Sequence, residues 1–196
     1  MRKPAKTDQF PVPANLEGAR VIRVWDPLVR VFHWTLVLCF VVAWFSAQAW
    51  ESLHDWAGYT AGSLVIVRVV WGLVGGRYAR FSQFVRSPRV VIAYLKSIAS
   101  GSEARFIGHN PAGAAMIVAL IIAMAAAVLT GWMLTTDALW GVTWAQRLHS
   151  VVAHGLLLLV LLHLVGVSVA SVRHRENLPR AMFTGDKRAP EAEDVA

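Results

Sequence analysis

The chain has 196 residues, of which 56% are apolar and 16% charged, and its mean hydropathy is +0.50. Soluble domains average about 25% charged residues, so this composition excludes an ordinary water-soluble domain and predicts lipid as the solvent. The formal charge is +7, but the basic residues lie in clusters between apolar runs, which indicates membrane topology rather than a nucleic-acid-binding face. Cys39 is the only cysteine, which excludes an internal disulfide, a thiolate metal cluster and covalent haem attachment.

Four apolar stretches are each near the 20 or so residues that a helix needs to cross about 30 Å of hydrocarbon. Lipid offers the backbone no hydrogen-bond partner, and the alternation typical of a membrane β-barrel is absent. We therefore predict an all-α, four-helix transmembrane bundle with spans at residues 29–49, 56–74, 112–134 and 151–172.

The basic residues predict the orientation of this bundle. Seventeen of the 19 Lys and Arg residues fall on one side of a four-span topology, namely Arg2, Lys3, Lys6, Arg20, Arg23, Arg30, Arg77, Arg80, Arg86, Arg89, Lys96, Arg105, Arg173, Arg175, Arg180, Lys187 and Arg188. The positive-inside rule makes that side cytoplasmic. We expect a multi-pass membrane protein with both termini in the cytoplasm and an aromatic belt at the outer boundary, formed by Trp50, Trp56, Trp132, Trp140 and Trp144.

The remaining segments are predicted to be short or polar. Residues 1–23 contain three prolines and no continuous apolar core, which is typical of a polar tail rather than a cleaved signal peptide. The chain thus divides into an N-terminal tail at 1–23, the bundle at 24–180 and a C-terminal tail at 181–196, which we expect to be disordered after Arg188. In the long loop, residues 90–98 are predicted to form an interfacial helix.

Histidines inside the apolar spans are the main functional signal. Ionisable groups in membrane helices are costly and usually functional, and neutral imidazole is a common axial ligand of haem iron. His149 and His163 are 14 residues apart, which returns them to within roughly 40° of one helix face and separates them by about 21 Å. The alternative is that each histidine packs against, and hydrogen-bonds to, a neighbouring helix.

In an antiparallel bundle, the other two histidines lie at the same depths in the membrane as His149 and His163. His33 begins the first span on the inner side and His54 begins the second on the outer side. We therefore predict an inner haem bound by His33 and His163 and an outer haem bound by His54 and His149. His154 lies about 140° from His149 around the helix and is the weaker candidate, although a rotated or broken helix would allow it to replace His149.

Three other residues on the second span are candidates for contact with haem. Gly58 and Gly62 follow His54 at i+4 and i+8, on the same face of the helix. Because glycine has no side chain, a flat macrocycle could approach this face closely. The alternative is a small-residue helix contact. Arg68, 14 residues after His54, is predicted to pair with a propionate of the inner haem. The alternative for Arg68 is a side chain that extends to the headgroups.

The two membrane surfaces carry candidate sites for redox partners. His109 and Asn110 lie near the expected inner haem and supply groups that could hydrogen-bond a small redox partner, although Asn110 and Pro111 also fit a helix N-terminus. On the outer side, Glu51, Asp55 and Asp137 form an acidic patch suited to docking a redox protein. Ordinary solvated loops are the alternative there.

Several motifs together resemble the bacterial cytochrome b561 superfamily, and in particular the di-haem b-type cytochrome subunit of membrane-bound nickel-iron hydrogenases. They are Val24-Trp25-Asp26-Pro27, Arg30-Val31-Phe32-His33-Trp34, His54-Asp55-Trp56-Ala57-Gly58, Arg68-Val69-Val70-Trp71-Gly72, Ala79-Arg80-Phe81, Gly108-His109-Asn110-Pro111-Ala112-Gly113, Thr130-Gly131-Trp132, and the C-terminal segments from Ser171 to Leu178 and from Ala181 to Gly185. The resemblance covers residues 24–188.

The resemblance implies two b haems between four helices, with His33, His54, His149 and His163 as ligands. It also implies a bacterial inner-membrane location and electron transfer between quinone, which His109 and Asn110 are candidates to bind, and a periplasmic partner, either a hydrogenase or a c-type cytochrome. A homodimer is left open. His154 departs from the pattern. No catalytic residues are predicted, because the chain lacks a hydrolase motif or phosphate-binding loop.

Two other functions are weaker readings of the sequence. A superoxide-to-quinone oxidoreductase would benefit from a positive outer funnel, but Arg147 is the only basic residue of the outer loops. A haem-free anchor protein would leave the four aligned histidines unexplained.

Overall fold

The computed structural model describes residues 21–76, 79–191 and 194–195. Along these residues the elements are β1 (Val21–Arg23), α1 (Pro27–Ser46), α2 (Glu51–Val74), α3 (Phe81–Phe84), α4 (Pro88–Ser100), α5 (Pro111–Leu134), α6 (Thr143–Arg173), α7 (Leu178–Thr184) and β2 (Asp186–Arg188). The prediction of an all-α fold is confirmed, with one two-stranded sheet added to it.

Helices α1, α2, α5 and α6 are long and apolar enough to cross a membrane, so the four predicted spans are confirmed. The largest differences are at two N-termini, because α6 begins eight residues and α2 five residues earlier than predicted, at Thr143 and Glu51. His149 and His54 consequently lie inside regular helix rather than at its edge. The 31 residues of α6 make it about 46 Å long, more than the hydrocarbon requires.

Several helices begin where sequence signals place them. Asn110 caps α5, since its Oδ1 accepts a hydrogen bond from the Gly113 amide at 2.7 Å, and Pro111 occupies the first turn. Asp26 caps α1 in the same way, and Pro27 follows it. Proline suits this position because its missing N–H would have no partner inside the helix. The predicted helix start at Asn110 is therefore confirmed.

The four spans alternate in direction, with α1 packed on α2, α2 on α5 and α5 on α6. One end of the bundle holds the N-termini of α1 and α5 and the C-termini of α2 and α6. We call it the basic end, and it carries Arg23, Arg30, Arg86, Arg89, Lys96, Arg105, Arg173 and Lys187. The opposite end is the tryptophan end, which carries Trp50, Trp56, Trp132, Trp140 and Trp144. The basic residues cluster at one end as predicted, and the five tryptophans of the predicted belt lie at the other end, although Trp25, Trp34 and Trp71 lie at the basic end.

A layer of apolar side chains fills the middle of the bundle. Its buried members come from all four spans: Cys39 from α1, Ala61 and Val65 from α2, Met124 from α5 and Leu156 from α6. Lipid-facing surfaces of the same helices are exposed and equally apolar. The buried layer separates the two ends of the bundle, so polar groups at one end are isolated from those at the other.

Helix α4 confirms that the predicted segment is helical, with two more residues at each end. Tyr94 is buried and donates a hydrogen bond to the Ala104 carbonyl at 3.2 Å. Arg173, the last residue of α6, donates to the Ile98 carbonyl at 2.6 Å. These contacts attach α4 to the basic end.

The two ends of the described chain meet at the basic end. β1 pairs antiparallel with β2, with Ile22 opposite Lys187. Gly185 lies between α7 and β2 with φ of 89°, in the left-handed region that favours glycine. Its carbonyl accepts hydrogen bonds from the amides of Val24 at 2.9 Å and Trp25 at 3.1 Å. The segment after α6 therefore fixes the entry into α1.

A buried group of charges holds this arrangement, and we call it the clasp: Arg105, Glu176, Lys187 and Asp194. Their side chains are only 4–7% exposed. Arg105 donates to Glu176 at 2.9 Å and also pairs with Asp194. Lys187 lies 3.3 Å from Glu176 and donates to the Ile107 carbonyl at 2.9 Å. The clasp thus joins the loop before α5 to the segments that follow α6.

The prediction of disorder after Arg188 was wrong for Asp194 and Val195. Besides the ion pair of Asp194, the Val195 amide donates to the Arg105 carbonyl at 2.9 Å, and the Val195 carbonyl accepts from the Ile107 amide at 2.9 Å. The composition of this segment is polar, but burial against Arg105 gives its backbone fixed partners.

Glu176 is the anion at the centre of the clasp. Burial raises the pKa of its carboxyl, but the hydrogen bond from Arg105 and the charges of Lys187 and Arg105 outweigh burial and lower that pKa below its usual value. A depressed carboxyl pKa stabilises the fold at pH values above the ordinary pKa, and this contribution is lost as pH falls through the folded-state pKa.

We predict that Glu176→Ala destabilises the protein by about 3–5 kcal/mol, because it leaves buried cations without their counter-charge. Chemical unfolding of the detergent-solubilised protein, followed by circular dichroism at neutral pH, measures this loss.

Glu191→Ala is the matched control. Glu191 pairs with Arg188, but its side chain is 66% exposed, and such surface pairs are worth about 0–1 kcal/mol. Equal losses in the two variants would contradict the importance of the clasp.

Candidate functional site

His54 and His149 face each other at the tryptophan end. His54 lies in the first turn of α2 and His149 in the second turn of α6. Their ring centroids are 6.1 Å apart and the ring planes are nearly perpendicular, at 88°. The structure therefore brings together the two residues predicted to form the outer pair.

Both rings are held through Nδ1. His54 Nδ1 lies 2.8 Å from the Ala43 carbonyl oxygen near the end of α1, and His149 Nδ1 lies 3.0 Å from the Thr130 hydroxyl on α5. The two Nε2 atoms are the nitrogens left for another ligand. Helices α1 and α5 thus orient imidazoles that belong to α2 and α6.

His33 and His163 form the corresponding pair at the basic end. Both are partly buried, and they lie near the basic end on α1 and α6. Nδ1 of His33 is buried with no hydrogen-bond partner among the described residues, and the ring contacts Trp34 edge-on at 5.0 Å. The apolar layer of Cys39 and its neighbours lies between this pair and the other one.

His154 has different surroundings. Its side chain is exposed, its Nδ1 lies 2.7 Å from the Ser150 carbonyl in its own helix, and its ring meets Trp44 edge-on at 5.4 Å. These contacts are those of a packing histidine. The sequence argument that separated His154 from His149 by helical angle agrees with this placement.

The glycines predicted to face a cofactor have different environments. A Cβ added at Gly58 would meet nothing within 4 Å, whereas one at Gly62 would lie 2.8 Å from a methyl group of Val128 on α5. Gly58 therefore faces open space. Gly62 lies in a tight helix contact, which is the alternative considered for it.

Arg68 is only 3% exposed. Its side chain is therefore buried in the bundle and does not extend to the lipid headgroups. It continues the buried stripe of α2 that includes Ala61 and Val65. Its guanidinium lies 4.8 Å above the ring centre of Phe81, and that ring packs against Gly72, where a Cβ would be 2.1 Å from it. Nη1 is buried and has no partner among the described residues. A buried cation with a free donor suits an anionic group at this level.

His109 is enclosed by aromatic rings beside Arg68. Its ring centroid is 4.6 Å from those of both Trp25 and Phe84. Burial, with smaller contributions from the charges of Arg68 and Lys187, lowers the pKa of His109 to about 3. The imidazole is therefore neutral at physiological pH and offers one N–H donor and one acceptor. Asn110 beside it uses its Oδ1 to cap α5, which leaves its amide N–H₂.

Sequence reasoning did not find three contributors to the site at the tryptophan end. They are Thr130, the Ala43 carbonyl and Gly131, where a Cβ would lie 3.1 Å from Cε1 of His149. Thr130 and Gly131 stand in one of the motifs quoted above, but spacing cannot link them to His149, because the two helices meet only in the folded bundle.

A four-span bundle with a facing histidine pair at one end and two further span histidines at the other is typical of membrane-bound b-type cytochromes. Among the described residues, no three His, Cys, Asp or Glu side chains converge on a site for a bare metal ion. A metal held by a macrocycle needs only two protein ligands, and a haem with histidine on both faces is such a case.

The comparison with protein families agrees with this class. The family described as prokaryotic cytochrome b561 matches residues 24–185, which is 162 of 196 residues. The chain therefore belongs to the prokaryotic cytochrome b561 family, and the predicted resemblance is confirmed. Membership implies b-type haem and electron transfer across a membrane. Comparisons with curated proteins and with solved structures returned no match.

The low pKa of His109 predicts an effect on acid stability. Between the usual pKa of 6.5 and about 3, the unfolded chain binds a proton that the folded protein does not, so stability falls as pH decreases through this window. His109→Gln should remove roughly 1–2 kcal/mol of the stability lost between pH 6.5 and pH 5, since each pKa unit is worth about 1.4 kcal/mol.

Thermal unfolding of the detergent-solubilised protein at pH 7, 6 and 5 measures this difference. His174→Gln, at the same end of the bundle, controls for the loss of an imidazole. Identical pH profiles of His109→Gln and the unmodified protein would show that His109 is not kept neutral by its surroundings.

Proposed function

We propose that the protein carries electrons across the bacterial inner membrane through two b haems, one bound by His54 and His149 and one by His33 and His163. The observation that carries this proposal is the 6.1 Å separation of the His54 and His149 rings. The proposal assigns no catalytic residue, because the chain's task is to hold and tune the electron carriers.

The ring separation fits a metal between the two imidazoles. A metal–imidazole bond is about 2 Å long and the bonded nitrogen lies about 1 Å from its ring centre, so two rings on opposite faces of one metal have centres about 6 Å apart. Gly58 faces open space nearby. Haem, when bound, supplies a one-electron carrier, and this chain supplies two oriented nitrogens and an apolar enclosure.

The pair at the basic end has its own supporting features. His33 and His163 lie on α1 and α6 at the same end of the bundle, and the buried Arg68 supplies a cation with an unused donor. We assign Arg68 to a propionate of the haem at this end. Since His149 and His163 are about 21 Å apart along α6, one haem cannot bind both. The apolar layer excludes water from the space between the two histidine levels.

The basic end is assigned to the cytoplasm because the positive-inside rule places clustered Lys and Arg there. The tails at 1–23 and 181–196 then lie on the cytoplasmic side of the bundle at 24–180. The tryptophan end, with exposed Glu51 and Asp137 and partly buried Asp55, faces the periplasm. We assign to that surface the docking of a periplasmic redox protein, a hydrogenase or a c-type cytochrome, by charge complementarity.

Quinone is assigned to the basic end, at His109 and Asn110. His109 offers a neutral imidazole beside Arg68, and such an imidazole both donates and accepts hydrogen bonds, as the carbonyl and hydroxyl oxygens of quinone and quinol require. The enclosing rings of Trp25 and Phe84 give an aromatic surface next to it. A quinone at this end would exchange electrons with the haem assigned to His33 and His163.

The histidine assignment predicts different outcomes for two residues on one helix. His149→Ala should remove one of two haem signals and abolish electron transfer from external quinol to ferricyanide trapped in proteoliposomes. His154→Ala should do neither, because His154 is exposed and bonded within its own helix. Reduced-minus-oxidised spectra and the trapped-ferricyanide assay provide the measurements. Loss of a haem on His154→Ala, with His149→Ala unaffected, would overturn the assignment.

Arg68 provides a separate test, at the haem assigned to His33 and His163. Removing a buried positive charge disfavours addition of an electron nearby, so Arg68→Gln should lower the midpoint potential of the haem assigned to His33 and His163 and leave the other unchanged. Arg147→Gln, at the tryptophan end, is the control for removing an arginine. Optical redox titration of the purified variants measures both potentials, and an unchanged pair of potentials would contradict the assignment of Arg68.

A further inference from the structure

The hydrogen bond between His54 and α1 is compatible with only one tautomer of the neutral imidazole. Ala43 lies in the last turn of α1, where carbonyl groups lack the backbone partners of the helix interior, and the Ser46 hydroxyl of the same turn lies 3.5 Å from its carbonyl oxygen. A carbonyl oxygen only accepts, so the 2.8 Å contact requires a proton on Nδ1 of a neutral His54. Its Nε2 then carries the lone pair.

Thr130 imposes the same tautomer on His149. The single hydroxyl proton of Thr130 is directed to its own helix, where the Ala126 carbonyl lies at 2.8 Å and that of Ala127 at 3.1 Å. The hydroxyl oxygen is left to accept from Nδ1 of His149 at 3.0 Å. Gly131 next to it lets the ring approach the helix closely, since any Cβ there would lie 3.1 Å from Cε1. The lone pair of His149 therefore also lies on Nε2.

The two histidine pairs differ in this respect. At the tryptophan end both Nδ1 atoms have oxygen partners, whereas Nδ1 of His33 is buried without one among the described residues. A hydrogen bond that draws on the Nδ1 proton makes Nε2 a more basic ligand and fixes the ring orientation. A more basic ligand stabilises the oxidised state of a bound iron, so such bonds lower its potential.

We infer that Thr130 is a positioning residue for His149: its hydroxyl oxygen, with its own proton held by the helix, keeps Nε2 of His149 free and raises the basicity of that nitrogen. This inference rests on the proposed function, since it concerns the haem assigned to His54 and His149. Thr130 acts through His149 and through the backbone of its own helix, since its hydroxyl also contacts the Ala126 and Ala127 carbonyls.

The test compares three variants of the purified haem-loaded protein. Thr130→Val keeps the shape and removes the oxygen, Thr130→Ser keeps the hydroxyl, and Thr60→Val is the matched control. Thr60 also donates to a backbone carbonyl four residues earlier, that of Trp56 at 2.8 Å, but it is exposed. Redox titration and electron paramagnetic resonance of the low-spin haems are the readouts.

Thr130→Val is expected to raise the midpoint potential of one haem and to shift its resonance, while Thr130→Ser and Thr60→Val leave both haems as they are. Thr130→Val could instead lose one haem, because removal of such a hydrogen bond weakens binding at a ligand site ten- to hundredfold. In that case, retention of the haem in Thr130→Ser supports the same role. Unchanged potentials and resonances in Thr130→Val would overturn the inference, and so would equal haem loss in Thr130→Val and Thr130→Ser or equal shifts in Thr60→Val.

The outcome is separable from that of the proposed function. If His149→Ala removes one haem while Thr130→Val changes nothing, only the role of Thr130 is refuted. If His149→Ala leaves both haems in place, the assignment of His149 itself fails.

Discussion

An imidazole inside a membrane span is costly unless its two nitrogens find partners, and the bundle is organised around two such residues on α6. His149 and His163 lie 14 residues apart on this helix, so each must be matched by a residue from another helix at its own level. Antiparallel packing supplies His54 from α2 and His33 from α1. The apolar layer of the bundle lies between these two levels.

The basic end shows how the chain fixes one of these levels. Gly185 and the β1–β2 pair hold Trp25, and Trp25 packs on His109. The clasp anchors the loop that carries His109, because Lys187 donates to the carbonyls of Phe106 and Ile107. Contacts made by short segments outside the bundle therefore determine the surroundings of His109. Buried charges are used here because fixed polar partners satisfy them.

Much of the fold could be predicted from the sequence because membrane spans are specified locally. About 20 apolar residues, with clusters of Lys and Arg between them, are sufficient to define a span and its direction. The N-terminus of α6 was placed too late because its first turns, around Gln146 and Arg147, are polar although helical. The clasp was missed because Arg105 and Asp194 are 89 residues apart, and charge alone does not predict such a pair.

The candidate site likewise has features that could be predicted from the sequence and features that could not. The histidine positions could be read from helical spacing and from the resemblance, and the structure brings the rings of His54 and His149 to within 6.1 Å of each other. Gly62 could not be assigned from spacing alone, since a glycine serves a helix contact or a cofactor face equally well, and Val128 decides in favour of the contact. Thr130 could not be linked to His149, because only the packing of α5 on α6 places them 3.0 Å apart.

The central claim is that one chain holds two haems at two levels of the membrane. The most direct measurement is the haem content of the purified protein, determined from the pyridine haemochrome spectrum together with an independent measurement of protein concentration. The account predicts two haems of the b type per chain. A single haem per chain, or none, would contradict it.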